Sequence, residues 1–513
     1  MTESNNKRIA KNTLMLYIRM FFVIGLNLYT SRLILDALGV SDFGLYGIVG
    51  GIVTMMSFLN NSLAGATQRF LTFELGKKDY DKLKQVFNAS FFNHALIGLA
   101  VLVLGETVGL WFVNHKLNIP EGRMLAANVV FQVSLLTACV NFLKVPFTGS
   151  IIAHERMGIF SIVSIGEVLI KTGLIVILSF ITADRLIVYS FFLFGLSCLV
   201  LLVLWWACRR NFSECRDISF RQYKFVDAKP MLYFSGWDLY GNFSFVARNE
   251  GMNVLLNIFF GTLMNASVSI ANRVESAISG FAQNFLTAVQ PQIVKQYAEG
   301  KFEEMQVLVR NSAMFAAVLL SAVALPVILY TDYILGLWLV EVPEYTAQFC
   351  QIVLVGEITR VMFTPLLQIF YATGDIKKMS FVLGTILLLT LPINYLLLLY
   401  YKNPILVLII NASSYLFRGI AGLYLLKMKH SGFEVRKYIY IGLLKPGIIA
   451  AMALGVAFVV KCHLFVEDSF AGLVVICVIL TTLIAALTYF FGIDKEMRNK
   501  VNHYVGDKLN IGK

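Results

Sequence analysis

This chain is poor in charge. Only 14% of its 513 residues are Asp, Glu, Lys or Arg, and 58% are hydrophobic. A soluble domain carries about a quarter charged residues and is about half apolar, so a water-soluble globule is excluded. Cysteine spacing excludes two further classes. Cys139, Cys198, Cys208, Cys215, Cys350, Cys462 and Cys477 are scattered, with no C-x-x-C pair. They suggest neither a disulfide framework nor a zinc site. The six histidines form no ligand cluster, so no metal is expected. No glycine-rich phosphate loop is present. A cleavable leader is not expected either, because residues 1–11 are polar and the first apolar stretch is full length. The net charge of +12 would suggest nucleic acid in a soluble protein. Here the basic residues sit in short loops, where retention of Lys and Arg on the cytoplasmic side explains them. No nucleic-acid partner is expected.

What is abundant is long apolar sequence, with a mean hydropathy of +0.72. A helix crosses a bilayer with about 20 apolar residues. Fourteen stretches qualify: 13–35, 40–63, 86–111, 124–145, 158–181, 185–208, 231–259, 264–291, 308–330, 347–371, 380–400, 404–426, 439–460 and 469–491. The fold class expected is an all-α integral membrane protein with 14 transmembrane helices. Loops on one side collect most of the 43 basic residues, among them Arg69, Lys77, Lys78, Lys82, Lys84, Lys144, Arg209 and Arg210. That asymmetry places both termini in the cytoplasm and requires an even number of spans.

The longest loop, 209–230, is basic and reads as a cytoplasmic linker between halves. Asn60, Ala64, Gln68, Gly76 and Lys77 recur at the same spacing as Asn284, Ala288, Gln292, Gly300 and Lys301. Both sets sit where the second helix of a six-helix group ends, so the repeats are parallel. The expected domains are a six-helix bundle at 1–208, the linker, a second bundle at 231–430, and two appended helices with a tail at 431–513.

Four strings carry a family resemblance: LGVSDFGLY at 38–46, PFTGSIIAHERMG at 146–158, NVLLNIFFG at 253–261 and PQIVKQYAEGK at 291–301. Over most of residues 7–428 the chain resembles the polysaccharide-exporter branch of the MOP superfamily, the multidrug, oligosaccharidyl-lipid and polysaccharide transporters. The resemblance implies two six-helix bundles in a V around a central cavity, working by alternating access. It implies a bacterial cytoplasmic (inner) membrane location. It also implies a cargo, an O-antigen or capsule saccharide unit on a polyprenyl diphosphate, flipped from the inner to the outer leaflet. Membrane lipids and other polysaccharide-assembly membrane proteins are the expected partners.

The residues themselves argue for a polar path. A diphosphate needs cations, and Arg offers a planar fork that cannot lose its proton. Seven basic residues fall inside expected spans: Arg19, Arg32, Lys171, Arg248, Arg273, Arg360 and Arg418. A charge at bilayer depth costs ~2.5–3.5 kcal/mol on insertion scales, so it persists where it faces protein or a wet cavity. Each residue also has a plainer reading. Arg19 and Arg418 can snorkel, and Arg32 can snorkel or pair with Asp36. Lys171 follows Glu167 by four residues and Arg360 follows Glu357 by three, the spacings of helical ion pairs. Arg248 and Arg273 have Glu250 and Glu275 at i+2, on different faces, so local pairing does not account for them.

Asp238, Glu250, Glu275, Glu167 and Glu357 are candidates for a coupling ion, H⁺ or Na⁺; otherwise they neutralise the arginines. No other cofactor is expected. Asn27, Asn60, Gln68, Trp237, Asn242, Asn272 and Asn284 are candidates for sugar contact, although polar residues also join helices to one another. Asp42 reads as a helix N-cap before Phe43.

Three functions compete. The first is a lipid-linked oligosaccharide flippase. An ion-coupled multidrug exporter of the same fold would want an acidic or apolar cavity. A membrane glycosyltransferase or polymerase would need a large outer loop or paired outer carboxylates. Glu341 and Glu344 are the only outer pair and read as loop residues, so an enzyme is not expected.

Overall fold

The computed structural model describes residues 3–55, 58–116, 119, 122–220, 223–339, 341–463, 469–495, 497–499 and 502. Every regular element among them is helical. Eleven helical spans among the described residues are long and apolar enough to cross a membrane. This is a multi-pass membrane protein. The expected spans 231–259 and 264–291 lie on helices of ample length whose polar side chains keep them out of the eleven. The expected span 40–63 includes residues 56–57, which lie outside the described set.

The helices gather into two compact units. The first comprises Met1–Phe243, Pro291–Lys301 and Tyr371–Lys377. It holds α1 (Glu3–Met55), α2 (Phe58–Lys77), α3 (Tyr80–Leu104), α4 (Leu110–Lys116), α5 (Met124–Ala153), α6 (Met157–Leu178) and α7 (Arg185–Asn211). Here α5 is the central helix, packed on α2, α3 and α7, while α1 lies along α6. Small residues allow the close approaches that association in a bilayer requires. A Cβ on Gly98 would stand 3.8 Å from the Cys139 Cα, and one on Gly149 would stand 3.0 Å from the Thr67 Cγ2. Helix α1 is not continuous. Gly39, at φ 75° and ψ 165°, breaks it, a conformation essentially reserved for glycine.

The second unit comprises Ser244–Gln290, Phe302–Phe370 and Lys378–Lys513. Helices α8 (Phe225–Phe260), α9 (Thr262–Ala298) and α12 (Thr346–Thr373) contribute to both units. The second unit alone holds α10 (Phe302–Leu329), α11 (Thr331–Trp338), α14 (Pro404–Lys429), α15 (Val435–Tyr438), α16 (Lys445–His463) and α17 (Phe470–Leu487), and nearly all of α13 (Lys377–Tyr401). The appended helices share a core with α10. Ile449, Ala453, Ala457, Ile476, Leu480 and Ile484 are buried together with Met314, Leu320 and Ala324.

Several expectations change in three dimensions. The linker is shorter than 209–230, because α7 runs to Asn211 and α8 starts at Phe225. It is also fastened down. The Asn88 side chain donates to the Asp217 carbonyl and accepts from the Ser219 N–H, and Tyr223 donates to Asn93. Arg69 and Lys144 are not loop residues, since α2 and α5 extend past them. Arg69 is only 6% exposed. Asp42 lies inside α1 and pairs with Arg123 instead of capping a helix. Arg123 also binds Asp184 at 2.6 Å, and Asp184 caps α7 through the Leu186 and Ile187 N–H groups.

Candidate functional site

Within the second unit a cavity of about 390 Å³ is lined by α8, α9, α12 and α14. These helices carry polar side chains along one face of otherwise apolar runs. On α14, Asn411 and Tyr415 are four residues apart and so lie on one face. On α8, Arg248, Asn249 and Glu250 stand at the wall; on α9, Asn272, Glu275, Ser276 and Ser279 do.

Arg248 dominates this wall. It is 4% exposed. Its Nη2 donates to the Tyr415 hydroxyl at 2.8 Å and to Asn249 Oδ1 at 2.9 Å. Its Nη1 donates to Ser414 Oγ at 3.1 Å and to the Asn411 carbonyl at 3.4 Å. The guanidinium lies over the Tyr415 and Phe245 rings, 4.8 and 5.3 Å from their centroids, close enough for cation–π attraction. All these partners are neutral, and no carboxylate among the described residues comes within ion-pair distance of it. The side chain is therefore satisfied as a donor by neutral groups, while Glu275 on the same wall interacts with its charge from beyond ion-pair distance. The wall thus offers both signs of charge, Arg248 beside Glu250 and Glu275.

Arg360 also lines the cavity, but its charge is spent. Nε and Nη2 each donate to one oxygen of Glu357 at 2.6 Å, a two-pronged pair with a carboxylate that is fully buried. Glu357 thus reads as a structural partner. Glu275 and Glu250 face the cavity, and Asn253 donates to Glu250 at 3.4 Å. Asn272 is in the wall as well.

The remaining expected site residues lie elsewhere. Arg273 is exposed and outside the cavity. Arg418 is half-buried outside it. Asn284 is buried and donates to the Gly280 carbonyl of its own helix. The rest belong to the first unit. Arg19 is half-buried with its guanidinium 4.8 Å from the Phe160 ring centroid. Lys171 interacts with Glu167 only from beyond ion-pair distance, and the ion-pair partner of Glu167 is Lys144 at 3.7 Å. Correct helical spacing permits a pair but does not select it when a neighbouring helix offers another cation.

Asp238 is 5% exposed and accepts from the Tyr371 hydroxyl and from Asn242, which also donates to Ser62. Trp237 has the Lys377 ammonium 5.2 Å from its ring. Asn60 and Gln68 are half-buried, and Asn27 is exposed. The side chain of Arg32 lies outside the described residues. Sequence reasoning missed Asn249, Asn411, Ser414 and Tyr415. Their only signal was a polar face four residues apart in an apolar span, and one that joins helices looks the same.

Comparison with known proteins follows this geometry. The family model MatE matches residues 240–396, the stretch that contains α9 and most of the cavity wall. A crystal structure of MATE in its straight conformation superposes with a TM-score of 0.72 over 84% of this chain and 97% of that one, at 14% identity. The fold is that of the MATE transporters. A MOP superfamily transporter from Pyrococcus furiosus shares the MATE fold at a TM-score of 0.70, 14% identity, 85% of this chain and 99% of that one. A multidrug resistance MATE family transporter in an outward-facing conformation gives the same figures. Among curated proteins, none matches the chain. The MatE match and the MATE fold together support the resemblance to the MOP superfamily.

Proposed function

We propose that this protein is a MATE-fold membrane transporter whose cargo is an anionic amphiphile, a saccharide on a polyprenyl diphosphate, moved from the inner to the outer leaflet by alternating access. The observation that carries this reading is Arg248, a buried guanidinium in the cavity wall whose hydrogen-bond partners are all neutral. Its N–H groups are all engaged by neutral partners, so it is the charge of this fixed guanidinium, and not a free donor, that would attract a diphosphate. In this reading the chain has 14 spans in two halves, with both termini in the cytoplasm, and Asp238 or Glu275 carries the coupling ion. The protein performs no covalent chemistry on its cargo.

A second reading is an ion-coupled multidrug exporter, and the structural likeness favours it, since a multidrug resistance transporter is among the similar structures. Glu250 and Glu275 in the same wall would serve cationic drugs. The Pyrococcus furiosus transporter is a caution against carrying substrates across by fold alone. For that protein, reversed polarity of the binding pocket is given as suggesting a different function.

Reconstituted proteoliposomes separate the two. A fluorescent polyprenyl-diphosphate disaccharide in the vesicle wall and ethidium in the lumen are followed in parallel. The first reading expects flipping of the lipid and a loss of at least ~10-fold in Arg248→Ala, the weight of hydrogen bonds to a charged group. Ethidium movement that survives Arg248→Ala and fails in Glu275→Gln, with no lipid flipping, overturns it in favour of the exporter.

A further inference from the structure

The first unit contains two short segments that come from late in the chain, Pro291–Lys301 and Tyr371–Lys377. They are the ends of α9 and α12, whose earlier portions belong to the second unit. Both ends are held by contacts of unusual specificity.

The end of α9 lies against α2 and the turn after α5. At Gly76 the helices approach so closely that a Cβ would stand 2.7 Å from the Ala298 Cβ and 3.0 Å from the Lys295 backbone. One turn earlier Phe73 meets Tyr297, ring centroids 6.4 Å apart. Glu155, in the turn, is 4% exposed and accepts from Lys295 and from Gln292, each at 2.5 Å, and from Arg8 at 2.7 Å. It does so from a left-handed backbone, φ 59°. A non-glycine residue keeps such a conformation only where its surroundings over-determine it, and strain of this kind collects at switching segments.

The end of α12 is held by Arg69, whose guanidinium lies 4.6 Å from the centroid of the same Phe73 ring. Arg69 donates to the Tyr371 and Ala372 carbonyls at 3.0 Å each, groups that a helix C-terminus leaves without partners. Gly374 follows at φ 77°, and a Cβ there would stand 2.6 Å from the Arg69 Nη2. The Tyr371 hydroxyl donates to Asp238.

We propose that these two helix ends form a latch, fastened to the first unit by Glu155 and Arg69, that releases as one piece in each transport cycle. A buried carboxylate with two cations, and a buried arginine on free helix carbonyls, are contacts that can be exchanged for water when they part. An apolar seam could not be opened that cheaply. The proposal rests on the transport reading only for the purpose of the motion, and its test does not use a cargo.

The full-length protein in lipid nanodiscs is followed by hydrogen–deuterium exchange. Residues 291–301 and 371–377 are expected to exchange together, while the α5 core around Phe131 and Leu135 stays protected. In Glu155→Gln, opening rises about tenfold in both segments, although Glu155 touches only the first. Loosening confined to 291–301, or two segments that exchange independently in the wild type, overturns the latch. Should Glu155→Gln fail to fold, Arg69→Lys tests the same coupling from the other end, with residues 291–295, away from the Tyr297 that neighbours Arg69, as the reporter. Correlated opening in a protein that moves neither lipid nor ethidium would leave the latch standing and remove the transport reading.

Discussion

At the residue scale, the arginines that looked alike in sequence have different fates. Arg248 and Arg273 each have a Glu two residues on, and neither can pair with it locally. Packing buries Arg248 among Asn249, Ser414 and Tyr415 and leaves Arg273 exposed outside the cavity. Arg273→Ala is therefore expected to change lipid flipping by less than about twofold in the proteoliposome assay, well short of the loss in Arg248→Ala. A large effect would show that the exposed face of α9 meets cargo. Arg360 illustrates a third outcome, a cation neutralised by its own helix. Removing Glu357 alone would strand that charge, so Glu357→Gln is a poor probe of ion coupling.

At the element scale, the turns that precede α5 and α7 are stitched by charge. Partial burial alone would raise the Asp184 pKa, but the Arg123 guanidinium and the Leu186 and Ile187 N–H groups outweigh it and hold the carboxyl below its ordinary value. A depressed carboxyl pKa gives stability that is present above the unfolded value, about 3.9. That stability is lost as pH falls through the folded value. Asp184→Asn keeps a good N-cap and removes only the charge. Its melting temperature in detergent should be lower than wild type at pH 7, by the equivalent of up to ~1 kcal/mol. The gap should close as pH falls below the ordinary carboxylate range. A gap that persists in acid would mean that the cap, and not the ion pair, was disturbed.

At the scale of the whole molecule, α16 and α17 are part of the second unit's core and not an appendage. Alanines 453 and 457 present a small-residue face and Ile476, Leu480 and Ile484 a bulky one, both buried in the cluster with α10. In a bilayer such contacts hold by close packing and not by exclusion of water. A chain ending at Lys429 should lose this packing, and with it detergent-stable α10. A monodisperse truncated protein with a melting temperature within a few degrees of wild type would contradict the shared core.

Sequence alone determined that the chain is helical and membrane-embedded, because a bilayer accepts only segments that satisfy their own backbone and enough apolar length to cross. It also marked α8 and α9 as unusual, since charge at that depth demands a reason. It could not choose partners. Glu167 had Lys171 at the right spacing and took Lys144 from another helix. Arg69 and Glu155 looked like loop residues and became buried fastenings. Helical periodicity fixes which residues share a face, but the neighbour that face meets is set by packing. Only the tertiary structure decided that Arg248 is held by neutral hydrogen-bond partners on α8 and α14, because packing and not spacing chose them.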